Sequence, residues 1–162
     1  MKKGGLLVIA TSGLGKTFCT DKHRKDTDIK VIDFNYRPWM FLKSEKMKQD
    51  FINFYRSIMS DDSVILLKNI NSVIEDYIID PERTVLVCPK KEAKEQIIKN
   101  LKDSNQLERK INDVDRLFDS RRKQMEELSK KYGIEIIELN NGQYISDIFN
   151  KLIEKLLGVK NG

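Results

Sequence analysis

Five short apolar runs constrain the fold of this chain more than any other feature of its sequence. They read "GLLVIA", "IKVIDF", "SVILLK", "RTVLVC" and "IEIIEL", and each is separated from the next by a stretch long enough to hold a helix. Short runs rich in β-branched residues indicate strands that are buried on both faces. Strands that alternate with helices predict an α/β fold, with a five-stranded, mainly parallel sheet and helices on both of its faces.

The spacing of apolar residues between the runs predicts the helices. Ser44 can cap a helix whose apolar face holds Met47, Phe51, Phe54, Tyr55 and Ile58. "INSVIEDYII" fits a short helix with Val73, Ile74, Tyr77 and Ile78 inward. A long helical stretch covers 90–131 and breaks near 103–106, and its second part carries an apolar stripe that starts at Leu107 and is interrupted at Arg121. A closing helix is expected over 144–157.

The composition is typical of a protein with a heavily solvated surface. Charged residues make up 34% of the 162 residues, and the net charge is +5. We therefore expect a single domain over 1–162, and the positive charge favours an anionic partner, of which a phosphate is the simplest. Nucleic acid is possible but not favoured, because a solvated lysine-rich surface explains the charge as well.

Two further features bear on where the protein works. No apolar stretch approaches the ~18 residues that a membrane span needs, and no signal peptide is recognisable, so we expect a cytoplasmic protein without a membrane partner. Cys19, Cys88 and His23 do not form a metal-ligand motif, so the two cysteines are expected to be free thiols in a reducing compartment.

A glycine-rich stretch follows the first apolar run. The segment "LLVIATSGLGKTF" ends a buried strand, supplies small residues and glycines, and then begins a helix over about 15–25. Backbone N–H groups that converge between a strand and a helix N-terminus favour an anion at that point. We therefore expect phosphate binding by the segment that holds Ser12, Gly13, Leu14, Gly15, Lys16 and Thr17. Lys16 would reach the β- and γ-phosphates of ATP, and the Thr17 hydroxyl would hold Mg²⁺.

One position departs from the usual phosphate-loop pattern G-x-x-x-x-G-K-[ST]. Ala10 stands where the pattern begins with glycine, while the part from Gly13 to Thr17 is intact. Alanine is small enough for close packing, but it disfavours a backbone with positive φ. The alternative interpretation of the segment is an ordinary turn between a strand and a helix.

The order of these features resembles that of the P-loop nucleoside and nucleotide kinases. The likeness rests on "ATSGLGKT", "VIDFN" and "RTVLVCP", the charged helical insert at 90–131, and the final strand and helix. It is greatest to small phage-type and bacterial (deoxy)nucleoside monophosphate or adenylate-like kinases. The resemblance implies a three-layer P-loop NTPase/kinase fold with sheet order 2-3-1-4-5, an acceptor-binding region at about 34–60, and a lid with flanking helices at about 90–131.

The resemblance also implies roles for individual residues in transfer of a γ-phosphoryl group to a nucleotide substrate. Arg121 would neutralise phosphate charge, although an ion pair with Asp119, Asp115 or Glu126 would also explain it, and the next two residues, Arg122 and Lys123, are expected to be solvated. Asp33, at the end of the second strand, would orient a substrate hydroxyl or assist the metal; the alternative is a cap or turn aspartate.

Two residues of the following loop complete the expected acceptor site. Arg37 would grip an acceptor phosphate while the ring of Trp39 stacks on a base. Packing in the core or within the loop is the alternative for Trp39. These residues and Asp33 are the substrate-binding candidates of the sequence.

Two departures from the kinase pattern leave other functions open. The third strand is followed by Lys68 and Asn69, where many P-loop enzymes carry an aspartate that helps to hold Mg²⁺. The helix after the fourth strand carries lysines in place of arginine pairs, and lysine lacks the bidentate fork of arginine. The alternatives are a non-catalytic or regulatory nucleotide-binding protein whose insert binds a partner, and a kinase that acts on nucleic-acid ends.

Overall fold

Five strands form one sheet in which every strand is parallel to its neighbours. The computed structural model describes residues 5–11, 29–34, 44–60, 62–67 and 74–161. The strands are β1 (Leu6–Ala10), β2 (Lys30–Phe34), β3 (Ser63–Leu67), β4 (Thr84–Pro89) and β5 (Glu135–Leu139). Their order across the sheet is β2-β3-β1-β4-β5, so the predicted order 2-3-1-4-5 and the α/β class are confirmed.

Five α-helices lie in the described part of the chain. They are α1 (Glu45–Ile58), α2 (Glu75–Ile78), α3 (Lys94–Asp103), α4 (Glu108–Tyr132) and α5 (Phe149–Asn161). The predicted break near 103–106 falls between α3 and α4, as expected. The closing helix begins later than predicted, because a 3₁₀ turn (Ile145–Ile148) precedes α5. The helix predicted over 15–25 lies outside the described residues.

The sheet separates two apolar clusters. Successive residues of a strand point to opposite faces, so Leu6 and Val8 belong to the first cluster while Leu7 and Ile9 belong to the second. α3, the N-terminal half of α4, and α5 cover the first cluster. α1, α2 and the C-terminal half of α4 cover the second. The helices therefore occupy both faces, as the buried strands require.

Among the helices that the structure describes, α4 alone packs its two halves into different clusters. Phe118 belongs to the first cluster and Met125 to the second. Seven residues of α-helix advance by roughly 10 Å, which is close to the distance between two packed layers. α4 therefore passes from one face of the sheet to the other, and it does so beside the last residue of β4, because the Arg122 side chain contacts Pro89 there.

Three side chains differ from the predicted apolar faces. Tyr77 was expected to point inward, and this prediction is wrong because the residue is 50% exposed. Leu107 precedes α4 and is 78% exposed, so the buried part of the stripe begins further along the helix. Phe54 is 45% exposed, although its ring stacks on that of Phe34 with 5.8 Å between centroids. Val73 lies outside the described residues.

None of the helices in the described ranges combines the length and the apolar character that crossing a bilayer would require.

Candidate functional site at the carboxyl edge of the sheet

The candidate site lies where β1 ends in the middle of the sheet. Ala10 is the last residue of β1, and Thr11, which follows it, is buried. The predicted phosphate-binding residues come next in the sequence: Ser12, Gly13, Leu14, Gly15, Lys16 and Thr17 all lie outside the described residues, as do Arg37 and Trp39. The structure therefore describes β1, β4 and α4, which carry or adjoin the described residues of this site, but not the predicted loop itself.

The backbone at Ala10 is compatible with alanine. Ala10 is fully buried and pairs with Val87 of β4. Among the non-glycine residues that the structure describes, Asn105 alone has a positive φ. Ala10 therefore continues the extended strand, and the absence of glycine at this position causes no backbone strain.

A small cleft joins the end of β1 to α4. Its lining comes from the ends of two strands and from the crossing segment of the helix: Thr11, Pro89, Val114, Phe118, Arg121 and Arg122. The Arg121 side chain is half-buried here. Burial lowers its pKa, and the neighbouring carboxylate of Asp113 opposes that shift. A guanidinium that has lost part of its hydration is well suited to an anionic group.

Arg122 is a second cation in this cleft, and its expected full solvation is wrong. The residue is half-buried, and its Nε donates a hydrogen bond of 2.9 Å to the carbonyl oxygen of Pro89. This contact ties the crossing segment of α4 to the end of β4. Sequence reasoning missed it because the acceptor is a backbone carbonyl 33 residues away, which leaves no pattern in the side chains.

Cys88 lies near Arg122, and its environment disfavours the thiolate. It is 3% exposed. Burial raises its pKa to about 11, and the positive charge of Arg122 offsets only part of that effect. A buried, protonated thiol is a poor nucleophile. Among the described residues of this cleft, Arg121 and Arg122 therefore offer electrostatic stabilisation of an anion.

Asp33 occupies a different part of the same edge. It lies on the outer strand β2, one residue before its end, opposite Leu66 of β3. β2 is separated from β1 by β3, so its backbone runs roughly 10 Å from that of β1. The carboxylate is exposed. Asp33 and Arg121 therefore lie on opposite sides of the end of β1, not in contact.

The described residues do not form a metal site by themselves. No group of three or more histidine, cysteine, aspartate or glutamate side chains within the described ranges could hold a metal ion. The metal site predicted from the sequence depends on Thr17, which lies outside those ranges.

These features define an α/β protein with a candidate site at the carboxyl ends of its parallel strands. Ligands usually bind at this edge of such sheets. Among solved structures, the chain is similar to the YorR protein of Bacillus subtilis, crystallised in complex with phosphorylated GDP. The TM-score is 0.60 over 96% of each chain, with 16% sequence identity. A likeness at this identity shows a shared fold. No protein-family model matches the chain, and no curated protein does.

Proposed function

We propose that this protein is an ATP-binding P-loop kinase, which transfers the γ-phosphoryl group of ATP to a nucleoside monophosphate or a similar small acceptor. The observation that carries the proposal is the cleft in which Arg121 of α4 and Thr11 lie together. Thr11 directly precedes the segment Ser12–Thr17, whose glycines and lysine follow the phosphate-loop pattern. A cation from the helical insert therefore lies next to the start of the proposed phosphate loop.

The proposed mechanism depends on position and charge. Phosphoryl transfer needs little covalent chemistry from the protein, so its catalysis rests on aligning the two substrates and on neutralising the phosphate oxygens. Lys16 and the backbone N–H groups of 12–17 would hold the β- and γ-phosphates. Arg121 would face the transferred group from the other side. Mg²⁺, held through Thr17, would supply further neutralisation of the phosphate charge.

The acceptor would bind towards the β2 side of the carboxyl edge. Asp33 would orient an acceptor hydroxyl, Arg37 would bind its phosphate, and Trp39 would stack on its base. β3 lies between β2 and β1 in the sheet, so an acceptor would bind above the end of β3, between Asp33 on one side and the phosphate loop on the other. The phosphorylated GDP bound to YorR, which has the same fold, supports a nucleotide as the ligand.

A phosphorylation screen tests this function. The protein with Mg²⁺ and ATP is offered nucleosides, ribo- and deoxynucleoside monophosphates, and oligonucleotides with a 5′-hydroxyl end, and ADP formation is measured. We expect turnover that depends on a monophosphate acceptor and is abolished by Lys16→Ala, while Lys151→Ala, an exposed lysine on α5, keeps full activity. Turnover that survives Lys16→Ala would exclude the phosphate-loop mechanism. Turnover with oligonucleotides alone would assign the protein to kinases of nucleic-acid ends.

A non-catalytic nucleotide-binding protein is the second candidate, and one sequence observation favours it. The two residues after β3 are Lys68 and Asn69, so the acid that many P-loop enzymes use to hold Mg²⁺ is not at this point. This function predicts that calorimetry detects ATP or ADP binding that Lys16→Ala weakens, with no turnover for any acceptor in the screen.

A further inference from the structure

A second cavity lies at the opposite edge of the sheet from the candidate kinase site. Its volume is about 480 Å³. It lies where β4 begins, between the C-terminal end of α1 and the segment that runs from α2 to β4. The lining residues are Tyr55, Arg56, Met59, Tyr77, Ile78, Ile79, Asp80, Arg83 and Thr84. Cavities that hold small molecules have volumes of about 300–1,000 Å³, so this one is large enough for a ligand with one or two rings.

Apolar side chains form one wall of the cavity. Tyr55, Ile78 and Ile79 are at most 9% exposed, so this wall is fixed by the second cluster. Tyr77 is half exposed, and the Nζ atom of Lys48 lies 4.4 Å from the centroid of its ring. This contact holds an aromatic ring at the rim by a cation–π interaction. The cavity therefore offers apolar surface that a hydrocarbon or aromatic group can cover.

The charged groups of the cavity favour an anion. Two guanidinium groups, of Arg56 and Arg83, line it together with the single carboxylate of Asp80. That carboxylate is already engaged, because it accepts from Arg83 Nε at 3.1 Å and from the backbone N–H of Glu82 at 3.1 Å. The Arg56 side chain lies in the last turn of α1 and is exposed. The lining therefore has an excess of positive charge.

One hydroxyl group adds hydrogen-bonding capacity. Burial raises the pKa of Tyr55 well above its ordinary value, so its hydroxyl keeps its proton and can donate to an anion throughout the neutral range. Thr84 also lines the cavity, but its hydroxyl is enclosed by the protein and is not open to a ligand.

We propose that this cavity binds a small organic anion with an apolar body. The anionic group faces Arg56 and Arg83, while the body lies against Met59, Ile78 and the ring of Tyr77. The proposal does not depend on phosphate binding, because no lining residue belongs to the carboxyl edge of the sheet.

8-Anilinonaphthalene-1-sulfonate is a suitable probe, since it combines a sulfonate with an aromatic body and its fluorescence rises in an apolar site. Fluorescence titration and calorimetry are carried out on the full chain. Arg56→Gln removes one cation of the cavity, and Tyr77→Ala removes its exposed ring. Matched controls change the same chemistry elsewhere: Lys151→Gln removes an exposed cation on α5, and Phe54→Ala removes an exposed ring of α1.

We expect one saturable site per chain that excess ATP does not displace. Arg56→Gln and Tyr77→Ala should each weaken it roughly ten-fold, as loss of a charged hydrogen bond or of a ring contact does, and both controls should leave it unchanged. Benzoate or phenyl phosphate should displace the probe, and their relative potency shows which anionic group the site prefers. A missing saturable site, equal affinity in all four variants, displacement by ATP, or no displacement by either competitor would each overturn the proposal.

Discussion

Arg121 lies in the segment of α4 that passes from the first apolar cluster to the second. Phe118 packs into the first cluster and Met125 into the second, and between them the helix passes the edge of the sheet. At that point the helix meets the ends of β1 and β4, and Arg121 lines a cleft together with Thr11 and Pro89. The half-buried charge of Arg121 makes the position suited to a phosphate.

Replacement of Arg121 should affect catalysis more than stability. If the proposed transfer takes place, Arg121→Ala should lower kcat roughly 100-fold, because a cation that stabilises transition-state charge contributes about 3 kcal/mol. Arg121→Lys should lower kcat less than Arg121→Ala does, because lysine keeps the positive charge but lacks the bidentate hydrogen-bonding geometry of the guanidinium group. Steady-state kinetics with the best acceptor measure the effect. Lys123→Ala, an exposed neighbour, serves as control, and a kcat for Arg121→Ala within two-fold of wild type would rule out this role.

Cys88 should be unreactive in the folded protein. Burial raises its pKa to about 11 from an ordinary value of 9.0, so very little thiolate exists at pH 8. In a Cys19→Ser background, a disulfide reagent such as DTNB should fail to react with Cys88 within minutes at pH 8, and should react fully in urea. Rapid reaction in native buffer would contradict the burial, with Cys19→Ser/Cys88→Ser as the blank.

The raised pKa of Cys88 should also make the free energy of unfolding depend on pH in the alkaline range. Below pH 9 the thiol is protonated in both the folded and the unfolded state, so it adds no pH dependence. Between pH 9 and pH 11 the unfolded chain loses this proton before the folded one does, and the free energy of unfolding should fall. Cys88→Ser should reduce that slope in urea titrations repeated across this range, and an unchanged slope would contradict the shift.

At the scale of the elements, the sequence predicts well what depends on local patterns. Apolar runs located all five strands, and "DSNQ" located the break between α3 and α4. The order of the strands came from the resemblance to kinases, because periodicity does not say which strands are neighbours. The prediction for Tyr77 failed because helical spacing shows only which residues share a face of the helix. It does not show whether a neighbouring element extends far enough to cover each of them. Arg122 could not be predicted, because its partner is a carbonyl at the end of a distant strand.

The C-terminal end of α4 depends on a glycine. Gly133 ends the helix with φ of 68°, and its N–H donates to Ser129 O at 2.8 Å. A methyl group added at Gly133, or at the helical Gly158, would meet no atom within 4 Å, so only the backbone distinguishes the two positions. Gly133→Ala should cost about 1–2 kcal/mol, because left-handed backbone is strained for alanine. Gly158→Ala, the matched control, should stabilise by up to about 1 kcal/mol. Urea unfolding measures both, and equal effects would contradict the argument.

At the scale of the whole molecule, the two apolar clusters are not independent cores. The same five strands form one wall of each cluster, since alternate residues point to opposite faces. α4 also connects the two clusters, because one half of the helix packs into each of them. The C-terminal half is also tied to α2, because Lys131 pairs with Glu75 and the Tyr132 hydroxyl donates to Asp76. Loss of either cluster therefore removes support from the other.

The chain should accordingly unfold in a single cooperative transition. Phe118→Ala in the first cluster and Met125→Ala in the second should each lower the free energy of unfolding by about 3 kcal/mol, because each leaves a cavity in a packed core. Neither substitution should change the slope of the free energy of unfolding against urea concentration. Far-UV circular dichroism and exposure of the Cys88 thiol, which reports on the second cluster, should give the same midpoint in both variants. Gln124→Ala, exposed beside Met125, should leave the midpoint unchanged. A Phe118→Ala variant in which the Cys88 thiol stays protected after the dichroism signal is lost would show that the clusters unfold separately.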